Sequence, residues 1–307
     1  MDAIVTAGGI PQPDEPLYVY TKGESKAMVD IAGKPMIQWV LDALCEAKAV
    51  DNIIVTGLSP KTNLKCKKPL HYLSNQGKML ENMIAGINKS QELSPKNKHV
   101  LLVSSDIPAL KAEMVDWLVN ACMETNDDIY YGVCPREVME MRYPGSKRTY
   151  TKLRDMEVCG ADINIVHVRM ASVHLDMWEA LITNRKNPIA QAGVMGVDTL
   201  YLLLTRQATL QDFVERVSKK IGVKGRAIVW PYAEPCMDVD KPNQLEMMRK
   251  DLARQAKATP KKASSKKPAA RLKKKAVAKK AAAPARKKFA VKKVPARKKA
   301  GTKARRK

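Results

Sequence analysis

Four short runs of residues in this chain have the right types and spacing for chemistry on phosphates. Thr6-Ala7-Gly8-Gly9 closes an apolar run, Ala3-Ile4-Val5. Glycines at such a point let the backbone come close to a ligand with free N–H groups turned toward it, although a Gly-Gly pair alone is also an ordinary turn. The run is not a G-x-G-x-x-G, and Pro11, Pro13 and Pro16 predict an extended loop where a dinucleotide fingerprint needs a helix. Lys26 offers a compact positive charge for phosphate oxygens. In Ile31-Ala32-Gly33-Lys34-Pro35-Met36, which follows it, Gly33 supplies a turn and Pro35 sits where a helix can begin. Ser104-Ser105-Asp106-Ile107-Pro108 puts a carboxylate just after Val100–Val103, where it could hold Mg²⁺ against phosphate oxygens. The competing role of Asp106, capping the next helix, is weakened by the intervening Pro108. In Met237-Asp238-Val239-Asp240-Lys241-Pro242 the two carboxylates of an extended D-x-D face opposite ways. One then points into a site and the other is free to cap the last helix.

These runs need a scaffold that brings strand ends together. Short apolar stretches at 3–6, 52–56, 99–104 and 128–133 alternate with helical spacing over 36–48, 79–88 and 113–122. That alternation predicts βαβ units and a mostly parallel sheet covered by helices. Ligands bind such sheets at the carboxyl ends of the strands, where the strand order reverses, which is where three of the four runs sit. Beyond residue 135 the stretch 136–152 is polar and rich in turn formers. Strands are expected at 161–168 and 223–230, and helices at 173–184, 209–220 and 243–255. A polar insertion beside an α/β core is where a second substrate's pocket is expected.

The 307 residues suffice for a large core without disulfides, so the six scattered cysteines, with no C-x-x-C pair, read as reduced thiols of a cytoplasmic protein with no zinc site. No signal peptide or membrane-spanning run is visible. The net charge of +24 is uneven: residues 257–307 hold 23 Lys or Arg and no Asp or Glu, which leaves +1 for residues 1–256. Domain organisation is therefore read as a body, 1–256, and a Lys/Ala/Pro-rich tail, 257–307, expected to be disordered because it has little apolar surface and repels itself.

Taken together and in order, Ala7-Gly8-Gly9, Lys26 with Ile31–Met36, Ser105-Asp106-Ile107-Pro108 and Asp238-Val239-Asp240-Lys241-Pro242 resemble the MobA-like nucleotidyltransferase family, within the superfamily of molybdenum cofactor guanylyltransferases and sugar-1-phosphate nucleotidylyltransferases. The resemblance spans residues 2–250 and implies a three-layer α/β fold of the nucleotide-diphospho-sugar transferase kind, a Rossmannoid with its mostly parallel sheet flanked by helices. It implies that Ala7, Gly8, Gly9, Lys26 and Ser105 hold the nucleotide. Gln76, Gly77 and Asn82 resemble the base-reading segment, and Lys152, Gly160, Asp162 and Asn164 the lining of the acceptor pocket. Lys26, Asp106 and Asp240 carry catalysis by the same carry-over, with Asp106 and Asp240, or Asp238 in place of Asp240, holding Mg²⁺. One departure stands out. The family often has an arginine soon after the glycines, whereas residues 10–20 here contain no Arg or Lys and include Asp14 and Glu15; Lys22 is the substitute nearest in sequence.

The implied reaction moves an NMP from an NTP to a phosphorylated small-molecule acceptor and releases pyrophosphate. It needs alignment and charge neutralisation in place of a covalent intermediate. The alternative is a nucleic-acid-associated protein whose body binds a nucleotide without turnover and whose tail, like that of a linker histone, binds nucleic acid or another polyanion without sequence preference.

Overall fold

Apolar runs too continuous for a half-wet strand are buried on both faces, and they form the centre of the sheet. The computed structural model describes residues 1–184, 190, 194 and 196–258. In it β1 (Asp2–Thr6) pairs in parallel with β4 (Ile53–Thr56) on one side and β6 (His99–Ser104) on the other. β5 (Leu70–Leu73) extends the parallel half beyond β4. On the far side of β6 lie β10 (Ile163–His167), β7 (Ile129–Pro135), β9 (Glu157–Gly160) and β8 (Thr151–Lys152), and β11 (Gly225–Val229) also pairs with β7. β9 and β10 run against the other seven strands. The chain winds outward from β1 to β5 and returns to β1's other edge as β6, so the strand order reverses between β1 and β6.

Helices cover both faces of this sheet. α2 (Met36–Glu46) and α4 (Ala112–Cys122) pack against one another. Their apolar stripes enter a core that contains Val5, Ile53, Val55 and Leu101, all with no exposed surface. Burying each such side chain is worth about 1.5–3 kcal/mol. α3 (Met79–Leu93) covers the other face, where a Cβ on Gly86 would lie 2.4 Å from Ile4 Cγ2. Only glycine lets this helix come so near β1, and the approach brings its N-terminal end beside the β1 loop.

The remaining described helices are α1 (Tyr18–Thr21), α5 (Arg136–Arg142), α6 (Leu175–Thr183), α7 (Val197–Leu204), α8 (Leu210–Ile221) and α9 (Pro242–Ala258). α5 occupies part of the 136–152 stretch expected to be polar and rich in turn formers, and β7 runs two residues beyond the strand expected at 128–133. The Ile31–Met36 run forms a hairpin, β2 (Asp30–Ile31) and β3 (Lys34–Pro35), whose turn residues Ala32 and Gly33 both have positive φ. Pro35 stands just before α2. Met36 N–H donates to Val29 O at 2.9 Å, and the Arg249 guanidinium of α9 donates to Asp30 O at 3.1 and 3.2 Å. This hairpin therefore joins the segment after Lys26 to the helix that follows Asp240.

One sequence expectation is overturned. Cys45 and Cys66 form a disulfide with Cα atoms 5.9 Å apart, while Cys122, Cys134, Cys159 and Cys236 are buried free thiols. No motif announces the pair, because the bridge depends on the 57–69 segment folding back along α2. Gln38 holds that segment through reciprocal bonds with the Lys65 backbone at 2.8 and 2.9 Å. Among the described residues no helix is long and apolar enough to cross a membrane. The expected disorder of 257–307 lies outside the described residues from 259 onward.

Candidate active site

The reversal between β1 and β6 opens a cleft of about 550 Å³, bounded by Gly8, Gly9, Lys26, Ser105, Asp106 and Asp240 among others. The loop after β1 is held from several sides. Ala7 N–H donates to Thr56 O at 2.8 Å, Ser25 Oγ donates to Ala7 O at 2.7 Å, and Lys26 N–H donates to Gly9 O at 2.9 Å. These last two bonds fold Lys26 over the glycines. Gly57, just past β4, has φ +97°, and a Cβ there would lie 2.3 Å from Gly8 Cα. Neither the conformation nor the space admits another residue.

Lys26 Nζ lies 2.5 Å from Asp106 Oδ2 and 2.6 Å from Asp240 Oδ1. The Lys26 side chain is 19 % exposed, Asp106 10 % and Asp240 54 %, so the cluster opens to solvent on the Asp240 side. Burial by itself would lower the lysine's pKa, but the two carboxylates hold it well above the ordinary lysine value. Asp106 caps no helix: α4 begins after Lys111 and has no side-chain cap. At the start of α9 the N–H groups of Asp240 and Lys241 both donate to Gln244 Oε1 at 2.9 Å. Val239 N–H donates to Asp106 O at 3.0 Å and clips the late loop to the one after β6. Asp106 Oδ1 is buried with no hydrogen-bond partner.

Asp238 takes a different cation from Asp240. It is bonded to Arg148, whose Nη2 also donates to Gly160 O at 3.2 Å and lies 3.8 Å from Asp162 Oδ2. Burial pushes the Asp238 carboxyl up to about 6, Arg148 opposing and Asp106 and Asp240 adding to the rise. Burial and the neighbouring carboxylates push Asp162 up as well; its Oδ2 is enclosed although the side chain as a whole keeps a third of its surface. Four aspartates are thus held together by two cations, Lys26 and Arg148.

The other predicted residues divide by role. Gly77 and Asn82 line the cleft and Gln76 does not. The Asn82 amide is fully engaged: it accepts from Gln76 N–H at 3.1 Å and donates to Asn75 Oδ1 at 2.9 Å and Lys78 O at 3.1 Å. It shapes the 75–78 turn, and Asn75 carries that turn to the glycine loop by donating to Gly8 O at 3.2 Å. Gly160 and Asp162 join the Arg148 cluster. Asn164 braces β7 by accepting from Gly132 N–H at 2.8 Å. Lys152 stands at the sheet edge, 3.8 Å from Glu157. Lys34 pairs with Asp42 and lies 3.6 Å over the Trp39 ring, so its role is in the scaffold. Lys22 ends α1 in a left-handed conformation outside the cleft lining.

Sequence reading passed over Ser25, Gly57, Asn75 and Arg148. Gly57 had a signal, since it follows an apolar strand as Gly8 does. Arg148 had none, being one cation in a polar stretch. A separate hollow of about 610 Å³ lies between α8 and β11 and contains none of the predicted residues. Its two aspartates are each held by an arginine, Asp127 by Arg226 and Asp128 by Arg169.

Residues 5–189 match the MobA-like NTP transferase domain family. A solved structure described as a hypothetical transferase from Thermus thermophilus is 31 % identical, with a TM-score of 0.67, covering 80 % of this chain and 98 % of its own. CMP:2-keto-3-deoxy-manno-octonic acid synthetase complexed with CTP matches at 12 % identity and a TM-score of 0.49, over 83 % of this chain and 98 % of its own. The 4-diphosphocytidyl-2C-methyl-D-erythritol synthase of Anaerococcus prevotii also matches at 12 % and 0.49, over 82 % and 95 %. The last two are too distant to bear on function. A search of curated proteins returned no match. The chain belongs to the MobA-like NTP transferase domain family.

Proposed function

We propose that this member of the MobA-like NTP transferase family transfers an NMP from an NTP to a phosphorylated small-molecule acceptor and releases pyrophosphate. The observation that carries the reading is the Lys26 ammonium between Asp106 and Asp240 at the mouth of a glycine-walled cleft. An oxygen of the acceptor's phosphate attacks the α-phosphorus. The new O–P bond forms as the bond to the β-phosphate bridging oxygen breaks, and pyrophosphate leaves with that electron pair. The backbone of Gly8 and Gly9 and the Ser105 loop receive the nucleotide, while Ala7, its N–H and carbonyl already bonded to Thr56 and Ser25, holds the loop in place from behind. Gly77 and Asn82 shape the wall against the nucleotide's base, and Gln76, outside the lining, is bonded through its side chain to Ser74. Lys26 neutralises charge that develops on the phosphates. Gly160, Asp162, Asn164 and Lys152 belong to the region assigned to the acceptor, where Arg148 is bonded to Asp238 and offsets the charge of Asp162.

Mg²⁺ is the cofactor this reading requires. Asp106 and Asp240 would hold it, and Asp238, bonded to Arg148, is the less available partner. Their hard oxygen donors fit the ion, and Asp106 Oδ1 is a buried oxygen lacking a donor. Among the described residues no three His, Cys, Asp or Glu side chains form a metal cage, but Mg²⁺ in such sites takes one or two carboxylates plus substrate phosphates. When bound it would supply charge neutralisation at those phosphates.

The test is pyrophosphate release with Mg²⁺, each of the four NTPs and a panel of phosphorylated acceptors. Turnover with one NTP–acceptor pair supports the reading. A folded chain that binds an NTP and stays silent on every acceptor favours the alternative, a nucleotide-binding body without turnover.

The 23 cations of residues 257–307, with no acid among them, favour a second activity alongside the first: salt-sensitive, sequence-independent binding of nucleic acid or another polyanion. Retention on immobilised DNA that falls steeply with salt, and is lost in a variant ending at residue 260, supports it. Equal retention of both chains removes it.

A further inference from the structure

The cleft is short of positive charge. Of the residues lining it, Glu15, Asp106 and Asp240 are acidic and only Lys26 and Lys241 are basic. Lys26 is already held by two of those acids. The glycine loop brings no cation, since residues 10–20 contain no Lys or Arg, and it adds Glu15 to the wall. Lys22 does not line the cleft. A triphosphate entering this space needs a cation not already held by a carboxylate.

We propose that Lys241 is that cation, receiving the terminal phosphates of the NTP in place of a basic residue in the glycine loop. Lys241 is exposed, next to Asp240, at the end of the cleft where the late loop meets α9. Its ammonium makes one long contact, 3.5 Å to Lys147 O, and among the described residues it has no ion-pair partner. Its backbone is fixed although its side chain is not: Gln244 Oε1 takes its N–H at 2.9 Å and its carbonyl accepts Leu245 N–H at 3.0 Å. The charge is therefore anchored at its root and only loosely held at its tip, the arrangement a lysine needs to follow phosphate oxygens as a ligand settles. The Val239–Asp106 clip sets that root against the loop after β6. The D-x-D-K-P run thus carries two functions, a carboxylate at 240 and a phosphate-seeking cation at 241. The inference rests on the nucleotidyl-transfer reading and assigns it a residue.

The experiment is equilibrium binding of NTP, NDP and NMP, with Mg²⁺ and at fixed ionic strength, to the full chain, to Lys241→Ala, to Lys241→Arg and to Lys96→Ala, an exposed lysine outside the cleft lining. The expected result is that Lys241→Ala weakens NTP binding by about tenfold, the scale of one charge-assisted hydrogen bond. NDP should suffer less, NMP should be unchanged, and Lys241→Arg and Lys96→Ala should stay close to the unsubstituted chain. Equal NTP affinity in Lys241→Ala and the unsubstituted chain overturns the proposal, as does an equal loss for all three nucleotides. If the unsubstituted chain binds no NTP at all, the nucleotidyl-transfer reading falls and this one with it.

Discussion

Lys26 and Asp106 stand 80 residues apart in the chain and 2.5 Å apart in the fold. Removing the carboxylate leaves the lysine with Asp240 alone and abolishes a buried oxygen that has no donor of its own. Asp106→Ala should lower pyrophosphate release by about a hundredfold or more, the scale of losing a preorganised electrostatic group, while the melting temperature changes little. A circular dichroism melt that collapses along with activity would make Asp106 structural.

Lys26 should behave differently. Lys26→Met leaves Asp106 and Asp240 facing one another with no cation between them. Folding should weaken by about 1–3 kcal/mol, the usual cost of stranding a buried polar group, and Asp240→Asn introduced alongside should recover part of the loss. Urea denaturation of the single and double variants measures this.

Gly57→Ala tests whether the second glycine loop supports the first. With φ +97° and the Gly8 backbone 2.3 Å from the added Cβ, the substitution should cost about 1–3 kcal/mol of stability and weaken nucleotide binding more than Gly23→Ala, a positive-φ glycine with nothing within 4 Å.

The Cys45–Cys66 bridge predicts that the denatured, unreduced chain titrates as four thiols, Cys122, Cys134, Cys159 and Cys236. Its cysteines are 21 residues apart, so reduction should lower stability by about 3 kcal/mol in the loop-entropy account. Six thiols in the native chain as purified would remove the bridge.

Asp128 contributes to the acid limb of stability. The Arg169 guanidinium, bonded to both its oxygens, holds its carboxyl below the usual carboxylate range, burial opposing and the Lys224 N–H adding to the effect. A depressed folded pKa adds stability above about pH 4 that is lost as the pH falls through the folded value. Asp128→Asn should therefore reduce the melting temperature at pH 7 and narrow the gap between pH 7 and pH 3. An unchanged gap would place the acid sensitivity elsewhere.

Much of this protein was determined locally. Ala3–Val5, Ile53–Val55 and Val100–Val103 are apolar without interruption, which only a strand buried on both faces tolerates, so the parallel half of the sheet and its loops were readable as pattern. Asp106 stood out because it follows Val100–Val103, whose end is marked by composition, and Asp240 because it lies in a D-x-D run before the last helix that the family resemblance singles out, with Asp238 left as the alternative. What the pattern could not carry was pairing between distant segments. Arg148 has no periodicity or motif around it, and its bond to Asp238 exists because β9 and β10 turn back against the sheet. Asn82 has the residue type of a base reader, but its burial and three hydrogen bonds commit it to shaping a turn. Cys45 and Cys66 sit in no recognisable spacing and meet because Gln38 draws the 57–69 segment onto α2. Local residue type governs which groups can do chemistry; the compensation of buried charge and the satisfaction of buried polar groups, both sums over the whole fold, decide which of them remain free to do it.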